Sequence, residues 1–446
     1  MVQKLFVKNF YSIREKVEVS FEASKEKQFN EDWIVKIGNT RLLKALIFYG
    51  SNGSGKTNIL YAFHVLRFII LSIPKEIDTQ FNIMPFALDP NYETEPTSFE
   101  LYFFINEVRY KYYIELNKEK ILNEELRQYT CGNKNQVVFS RKFIPERGVN
   151  KVRFGAWLSL TTEERKVIEQ STKNNISVLS VYASKNISCN DLSIVRDYFK
   201  YEFFHIYSVE DGDQDVAKAL QQDVNLKFLL MDLIKTFHSN IVDIKISEEI
   251  QQIPEEARQI LLQMRTSPEE REELENVHSF KKYKSEFIHK TKLGEFALDS
   301  CLQSEGTKNF IRHLVLFYQA IQRNWLVILD EFGVGLQART QHLLLDFFLK
   351  FSQKSQLLFA TQSIGILDFP NMRRDAIIIV SKDSIGQTSI DATTVRGIHR
   401  NIKLRKAYFD GRFTTIDPKE PDINFQVNYD KYMSLIFSKQ KKGGDL

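Results

Sequence analysis

The chain has 446 residues and a formal charge of +4, from 61 Lys and Arg against 57 Asp and Glu. That length exceeds one ordinary core and predicts two or three lobes, while 43% apolar residues including 35 Phe exclude a disordered chain. The charge is spread too evenly to give a global nucleic-acid footprint, and Cys131, Cys189 and Cys301 form neither a disulfide framework nor a zinc spacing, which fits a reducing cytoplasm.

In chain order, Met1 to Leu5 lack the apolar core of a signal peptide. Leu5, Val7, Val17, Val19 and Phe21 fall near alternate positions, predicting a hairpin half-buried on one face. The apolar run Ala45-Leu46-Ile47-Phe48-Tyr49 then delivers the chain to Gly50-Ser51-Asn52-Gly53-Ser54-Gly55-Lys56-Thr57, the pattern G-x-x-x-x-G-K-[ST] of a phosphate-binding loop. A helix is predicted from near Lys56 through Ile59, Leu60, Phe63 and Leu66. The apolar stretch Ile59 to Ile73 is too short for the roughly 20 residues that span a bilayer, so a buried helix is expected. A loop with Pro85, Pro90 and Pro96 follows, and then two strands, Phe99 to Ile105 and Arg109 to Leu116, joined by Asn106-Glu107.

Residues 1–154 thus read as the N-terminal half of a head. Residues 155–290 read as a mostly helical insertion, with Glu-, Lys- and Gln-rich stretches such as Pro254–Met264 and Pro268–Val277. Residues 291–446 return to α/β, with buried-strand runs at Trp325–Leu329, Gln356–Ala360 and Ala376–Val380 and a lysine-rich tail.

The loop carries chemistry. Its glycines let backbone N–H groups converge on phosphates, and the helix N-terminus adds partial positive charge. In that pattern Lys56 reaches the β- and γ-phosphates and Thr57 ligates Mg²⁺. The strand Leu326–Leu329 ends in Asp330-Glu331, giving Asp330 a metal role and Glu331 the role of positioning or deprotonating water. Upstream, Ser304-Glu305-Gly306-Thr307-Lys308 opens another helix. Read alone it is an N-cap, but it stands 24 residues before Asp330 (330 minus 306), where ABC-type ATPases carry their signature motif.

Together with Ala360-Thr361-Gln362-Ser363, these motifs resemble ABC-class heads of the SMC/RecF kind. More narrowly, the chain is similar to the bacterial stand-alone "AAA family ATPase" group with an SMC-like fold. Lys8-Asn9-Phe10, Phe48 to Asn58, Met84-Pro85-Phe86-Ala87-Leu88-Asp89, Ser304 to Lys308 and Ala407 to Phe413 carry that resemblance. It implies an α/β, ABC/SMC-like P-loop ATPase head of mixed sheet and helices, interrupted by a helical insertion. ATP and Mg²⁺ would be held by Gly50 to Asn58, Asp330, Glu331 and Gln362. Members of the group occur in anti-phage systems, including the ATPase subunits of PARIS and Septu and abortive-infection pairs with RloB-like partners. The resemblance therefore implies an ATP-dependent sensor or scaffold controlling a separate effector, often a nuclease, and answering a phage-encoded trigger protein. It also implies a homo-oligomer in which Ser304 and Gly306 of one subunit close over the ATP of another. DNA is a further candidate partner.

Two departures stand out. Gln362 occupies the place where such heads usually carry a His against the γ-phosphate; an amide donates a hydrogen bond but takes up no proton, so either hydrolysis is slow or the amide substitutes adequately, and both readings stay open. No Q-loop glutamine is legible between residues 75 and 145.

Other constellations read as structural. Glu210-Asp211-Gly212-Asp213 and Asp215 resemble a two-metal nuclease pair but lack a preceding strand; His64, His278, His289 and His313 lack metal spacing; Arg14 and Arg41 read as surface residues. Rival readings are a RecF-like DNA-repair ATPase, an ATP-binding scaffold with little hydrolysis and, least favoured, a transporter subunit.

Overall fold

The computed structural model describes residues 1–73, 79–130, 134–203, 205–206, 212–237, 240–264, 278–392, 394–399 and 401–413. The strand Ala45–Tyr49 is buried at every position because it lies inside a six-stranded sheet. The order is His205–Ile206, Leu326–Leu329, Gln356–Ala360, Ala45–Tyr49, Ile377–Lys382, Thr388–Asp391, and only the last pair is antiparallel. Unbroken apolar runs are what strands covered on both faces require. N- and C-terminal halves of the chain therefore share one sheet.

Helix Lys56–Leu71 covers one face. Ile59, Leu60, Phe63 and Leu66 are buried as their spacing predicts, together with Val65, Ile69 and Ile70. Burial of each large side chain contributes roughly 1.5–3 kcal/mol, which more than outweighs the ordering of its rotamers. Among the described residues no helix is long and apolar enough to cross a membrane.

A second, seven-stranded antiparallel sheet uses only residues before 155. Its hairpin pairs Leu5 with Val19 and Val7 with Val17. Strands Thr97–Ile105 and Val108–Leu116 turn at Asn106 and Glu107, whose φ of 46° and 69° give the left-handed pair of a type I′ turn. The class is the expected one: mixed α/β with a P-loop strand in a parallel core.

The stretch 155–290 differs from its sequence reading. Helices at Thr162–Ser171, Val178–Ala183, Asn190–Asp197, Asp213–Gln222, Val224–Ile234 and Glu255–Met264 are present. Its first third nevertheless belongs to the head's core. Ser177 and Ser180 donate from Oγ to the Ile70 carbonyl at 3.0 and 2.7 Å, and Phe203 stacks on Phe63 of the loop helix. The stretch also contains two long strands, Ile241–Gln252 and Ser279–Thr291, paired antiparallel and extended by Gly294–Asp299. Their outer halves are exposed on both faces, so no apolar alternation marks them; cross-strand charges such as Lys281–Glu248 at 2.7 Å fix the pairing instead. The expected helix over Pro268–Val277 and the tail beyond residue 413 lie outside the described residues.

Candidate functional site

The loop Gly50–Thr57 fits its surroundings so closely that two glycines are demanded by space. A Cβ on Gly50 would stand 2.1 Å from the Val380 carbonyl oxygen, and one on Gly55, at φ 102°, would stand 2.0 Å from Thr388 Oγ1. Thr388 Oγ1 donates to the Ser54 carbonyl at 2.9 Å, Thr388 N donates to the Ser12 carbonyl at 2.7 Å, and Asn58 Nδ2 donates to Ser12 Oγ at 2.6 Å. The hairpin that follows Ile377–Lys382 thus braces the loop from below. Inside the cradle, the buried Ser54 hydroxyl has no hydrogen-bond partner among the described residues, an orphaned polar group suited to an anionic ligand.

Lys56 opens the helix with its ammonium donating to the Gly50 and Ser51 carbonyls at 2.8 and 2.9 Å. Burial lowers its pKa from the ordinary lysine value, and the neighbouring Asp330 and Glu331 carboxylates pull it back up. Thr57 Oγ1 donates to Asp330 Oδ2 at 2.6 Å. A hydroxyl beside a carboxylate is an oxygen pair of the kind Mg²⁺ uses, its other ligands coming from phosphate and water. No cluster of three or more His, Cys, Asp or Glu able to hold a metal occurs among the described residues.

Glu331 has a left-handed backbone, φ 55°, an arrangement that costs a non-glycine residue of order 1–3 kcal/mol. Its neighbours hold it there. Asp330 Oδ1 accepts from Glu331 N at 3.1 Å, and the next residue, Phe332, is buried with its N–H on the Ala360 carbonyl. The turn leaves the Glu331 carboxylate exposed toward the cleft.

Asn52 to Asn58, Asp330, Glu331, Thr361 and Gln362 line one cleft of about 360 Å³. Gly50 and Ser51 are tied to it through their carbonyls, which accept from the Lys56 ammonium. Thr361 is buried with its hydroxyl on the Phe332 carbonyl, which leaves Gln362 exposed at the cleft edge. Lys382 also lines the cleft. Ser12, Thr388 and Lys382 were not singled out from the sequence; only the pairing of distant strands brings them to the loop.

The second motif lies elsewhere. Ser304 caps helix Glu305–Arg323, its Oγ accepting from Thr307 N at 3.2 Å, and Glu305 pairs with Lys308 at 2.5 Å. Ser304, Gly306 and Thr307 line a different cleft, of about 450 Å³, with Gly335, Leu336, Gln337, Arg339 and Thr340. One chain therefore joins the loop to Asp330 and Glu331 but does not join it to the Ser304 turn.

The remaining motifs act as supports. Asn9 is buried at φ 51°; its Oδ1 accepts from Phe86 N, and its Nδ2 donates to the Tyr92 and Glu95 carbonyls, which fixes the segment Met84–Asp89. Arg14 pairs with Asp89 at 2.8 Å, and Arg41 donates to the Ser24 and Glu26 carbonyls, so both arginines are structural ties. Asp213 pairs with Arg312 at 2.6 Å, while Glu210 and Asp211 lie outside the described residues. Tyr408 of the Ala407–Phe413 motif packs near Tyr49 at the end of the loop strand.

A family model described as "AAA domain, putative AbiEii toxin, Type IV TA system" matches residues 46–368, a span that begins in the loop strand and ends beyond Gln362. Among solved structures, the SMC head domain from Thermotoga maritima is 14% identical, with 87% of this chain and 98% of that chain covered and a TM-score of 0.40. An SmcHead bound to the C-winged helix domain of ScpA is also 14% identical, covering 87% and 96%, with a TM-score of 0.36. Likeness this loose carries no argument about function. No curated protein matches the chain.

Proposed function

The chain belongs to this AAA-domain family, and from that premise we propose that it is a Mg²⁺-dependent ATPase that works as a sensor or scaffold and controls a separate effector. The observation that carries the reading is the 2.6 Å bond from Thr57 to Asp330, which places the loop and the acidic strand end on one cleft. There the loop amides and Lys56 would stabilise the transferring phosphoryl charge, Thr57 and Asp330 would hold Mg²⁺, which would supply further charge stabilisation, and Glu331 would position the attacking water. Catalysis of this kind is positioning plus electrostatics, and each part sits on a buried element.

The two separate clefts support association of copies. The Ser304 turn offers N–H groups at a helix start but faces a cleft without the loop, so a second chain's triphosphate is its natural occupant. A Glu331→Gln variant, which keeps the loop and removes the base, is expected to form dimers or larger assemblies with ATP and Mg²⁺ in a size measurement. An unchanged monomer with nucleotide bound rejects the shared site.

The family description, a putative toxin of a toxin–antitoxin system, supports a role in a toxic or defensive response. Among the described residues no group of three or more His, Cys, Asp or Glu could hold a metal for a second chemistry, and we assign the effector activity, a nuclease in our reading, to another polypeptide, with a phage protein as the trigger. Co-expression with the adjacent gene products tests this: growth arrest that requires both the partner and Lys56 supports it, and arrest by this chain alone rejects it.

A further inference from the structure

We propose that Lys382 is a second phosphate-binding cation of the nucleotide cleft, an assignment that rests on the nucleotide reading above. Strand Ile377–Lys382 runs parallel to Ala45–Tyr49, with Ile377 opposite Ile47 and Ile379 opposite Tyr49, so it ends at the same edge of the sheet as the loop. Ligands of parallel sheets sit at that carboxyl edge. Lys382 is the last residue of the strand and lines the cleft with Lys56, Asp330 and Glu331.

The backbone beneath Lys382 cannot drift relative to the loop. Two residues earlier, the Val380 carbonyl closes over Gly50, and across the hairpin Lys382 pairs with Thr388, whose hydroxyl is bonded to the Ser54 carbonyl. Nor does any described residue engage the ammonium. Among the described residues no carboxylate pairs with it, and the adjacent Asp383 is occupied, its Oδ1 accepting from Ile385 N and Gln387 N. The side chain is exposed, rooted on a rigid strand end and directed by position to the cleft.

Charge gives it a task. Among the described residues four charged side chains line the cleft: Lys56, Lys382, Asp330 and Glu331. The two acids serve metal and water. Lys56 already spends two of its three N–H donors on the Gly50 and Ser51 carbonyls, leaving one for phosphate. A triphosphate is strongly anionic, and Lys382 supplies the remaining full positive charge.

Binding of ATP and of inorganic tripolyphosphate, each with Mg²⁺, to native protein and to Lys382→Ala, Lys382→Gln and Lys382→Arg tests the assignment. Loss of one charge-assisted contact predicts binding of both ligands weaker by about 10- to 100-fold in the Ala and Gln variants, a flatter salt dependence, and partial rescue by Arg. The melting temperature without ligand should not move, since the side chain is exposed. Native-like affinity in Lys382→Ala overturns the proposal, as does weakened ATP binding with tripolyphosphate binding unchanged, which would place the contact on the nucleoside. If the native protein binds neither ligand, the nucleotide reading itself fails and this assignment falls with it.

Discussion

Thr57 Oγ1 donates a 2.6 Å hydrogen bond to Asp330 Oδ2, linking the first turn of the loop helix to a strand end 273 residues later. The bond fixes the spacing of the two oxygens that, in the proposed function, would ligate Mg²⁺. Replacing Asp330 with Asn or Thr57 with Ala keeps the side-chain volume roughly constant or smaller at exposed positions, so folding should persist. Phosphate release is expected to fall by about 10²- to 10³-fold, with a larger Mg²⁺ requirement. Turnover measured across a Mg²⁺ titration checks this; an unaltered Mg²⁺ midpoint in both variants would remove the metal role.

Glu331→Gln separates binding from chemistry. The amide keeps the size and the left-handed turn, which is held by Asp330 and the buried Phe332 and not by the carboxylate. ATP affinity is expected within a few-fold of native while turnover drops by orders of magnitude. Single-turnover hydrolysis gives the comparison. Turnover within a few-fold of native would mean that another group handles the water.

Much of this site was legible from residues 50–57 and 330–331, because a phosphate loop must be contiguous and an acidic strand end is a short local string. The strands flanking them were legible for the same reason: each buried run announces itself. What stayed hidden came from long-range pairing. Ser12, Thr388 and Lys382 reach the loop only because Ile377–Lys382 lies beside Ala45–Tyr49, which no local pattern states. The paired strands Ile241–Gln252 and Ser279–Thr291 were hidden for the opposite reason: strands wet on both faces carry no period, and their Glu and Lys residues imitate a solvated helix. Asn9 shows a third case. Its motif was visible, but its use, tying Phe86 and Tyr92 to the first strand, required the fold.

Gln362 tests whether the site is slowed by design. Its side chain stands at the cleft edge beside Thr361, itself pinned by the Phe332 carbonyl, so a substitution there should leave the strand in place. Gln362→His supplies a group able to carry charge near the phosphate, and steady-state turnover is expected to rise several-fold near neutral pH. No gain means that the amide already suffices.

Gly55→Ala examines the loop's geometry. The new methyl would need to share space with Thr388 Oγ1 at 2.0 Å and Ser12 Oγ at 2.8 Å, on a backbone at φ 102°. Strain and displaced hydrogen bonds together predict a destabilisation of about 1–4 kcal/mol and lost ATP binding. Pairing it with Thr388→Ser, which trims a methyl but leaves the hydroxyl, should give little rescue; full rescue would show that the methyl and not the hydroxyl sets the limit.

His313 sets a pH dependence of stability. It is buried on helix Glu305–Arg323 against Phe332, 5.3 Å between ring centroids, and its Nδ1 bonds the Asn309 carbonyl at 2.6 Å. Burial lowers its pKa to about 4 from 6.5, the Asn309 carbonyl opposing and the Arg312 charge reinforcing the shift. Between those values the unfolded chain binds more protons than the folded one, so stability is complete above pH 6.5 and declines as pH falls toward 4. The full difference, 6.5 minus 4, corresponds to about 3 kcal/mol. Urea unfolding at pH 7.5 and 4.5 should show the native protein losing more stability than His313→Gln, whose side chain does not titrate. Equal losses in the two proteins would mean that other groups set the acid limb and that His313 is protonated as readily folded as unfolded.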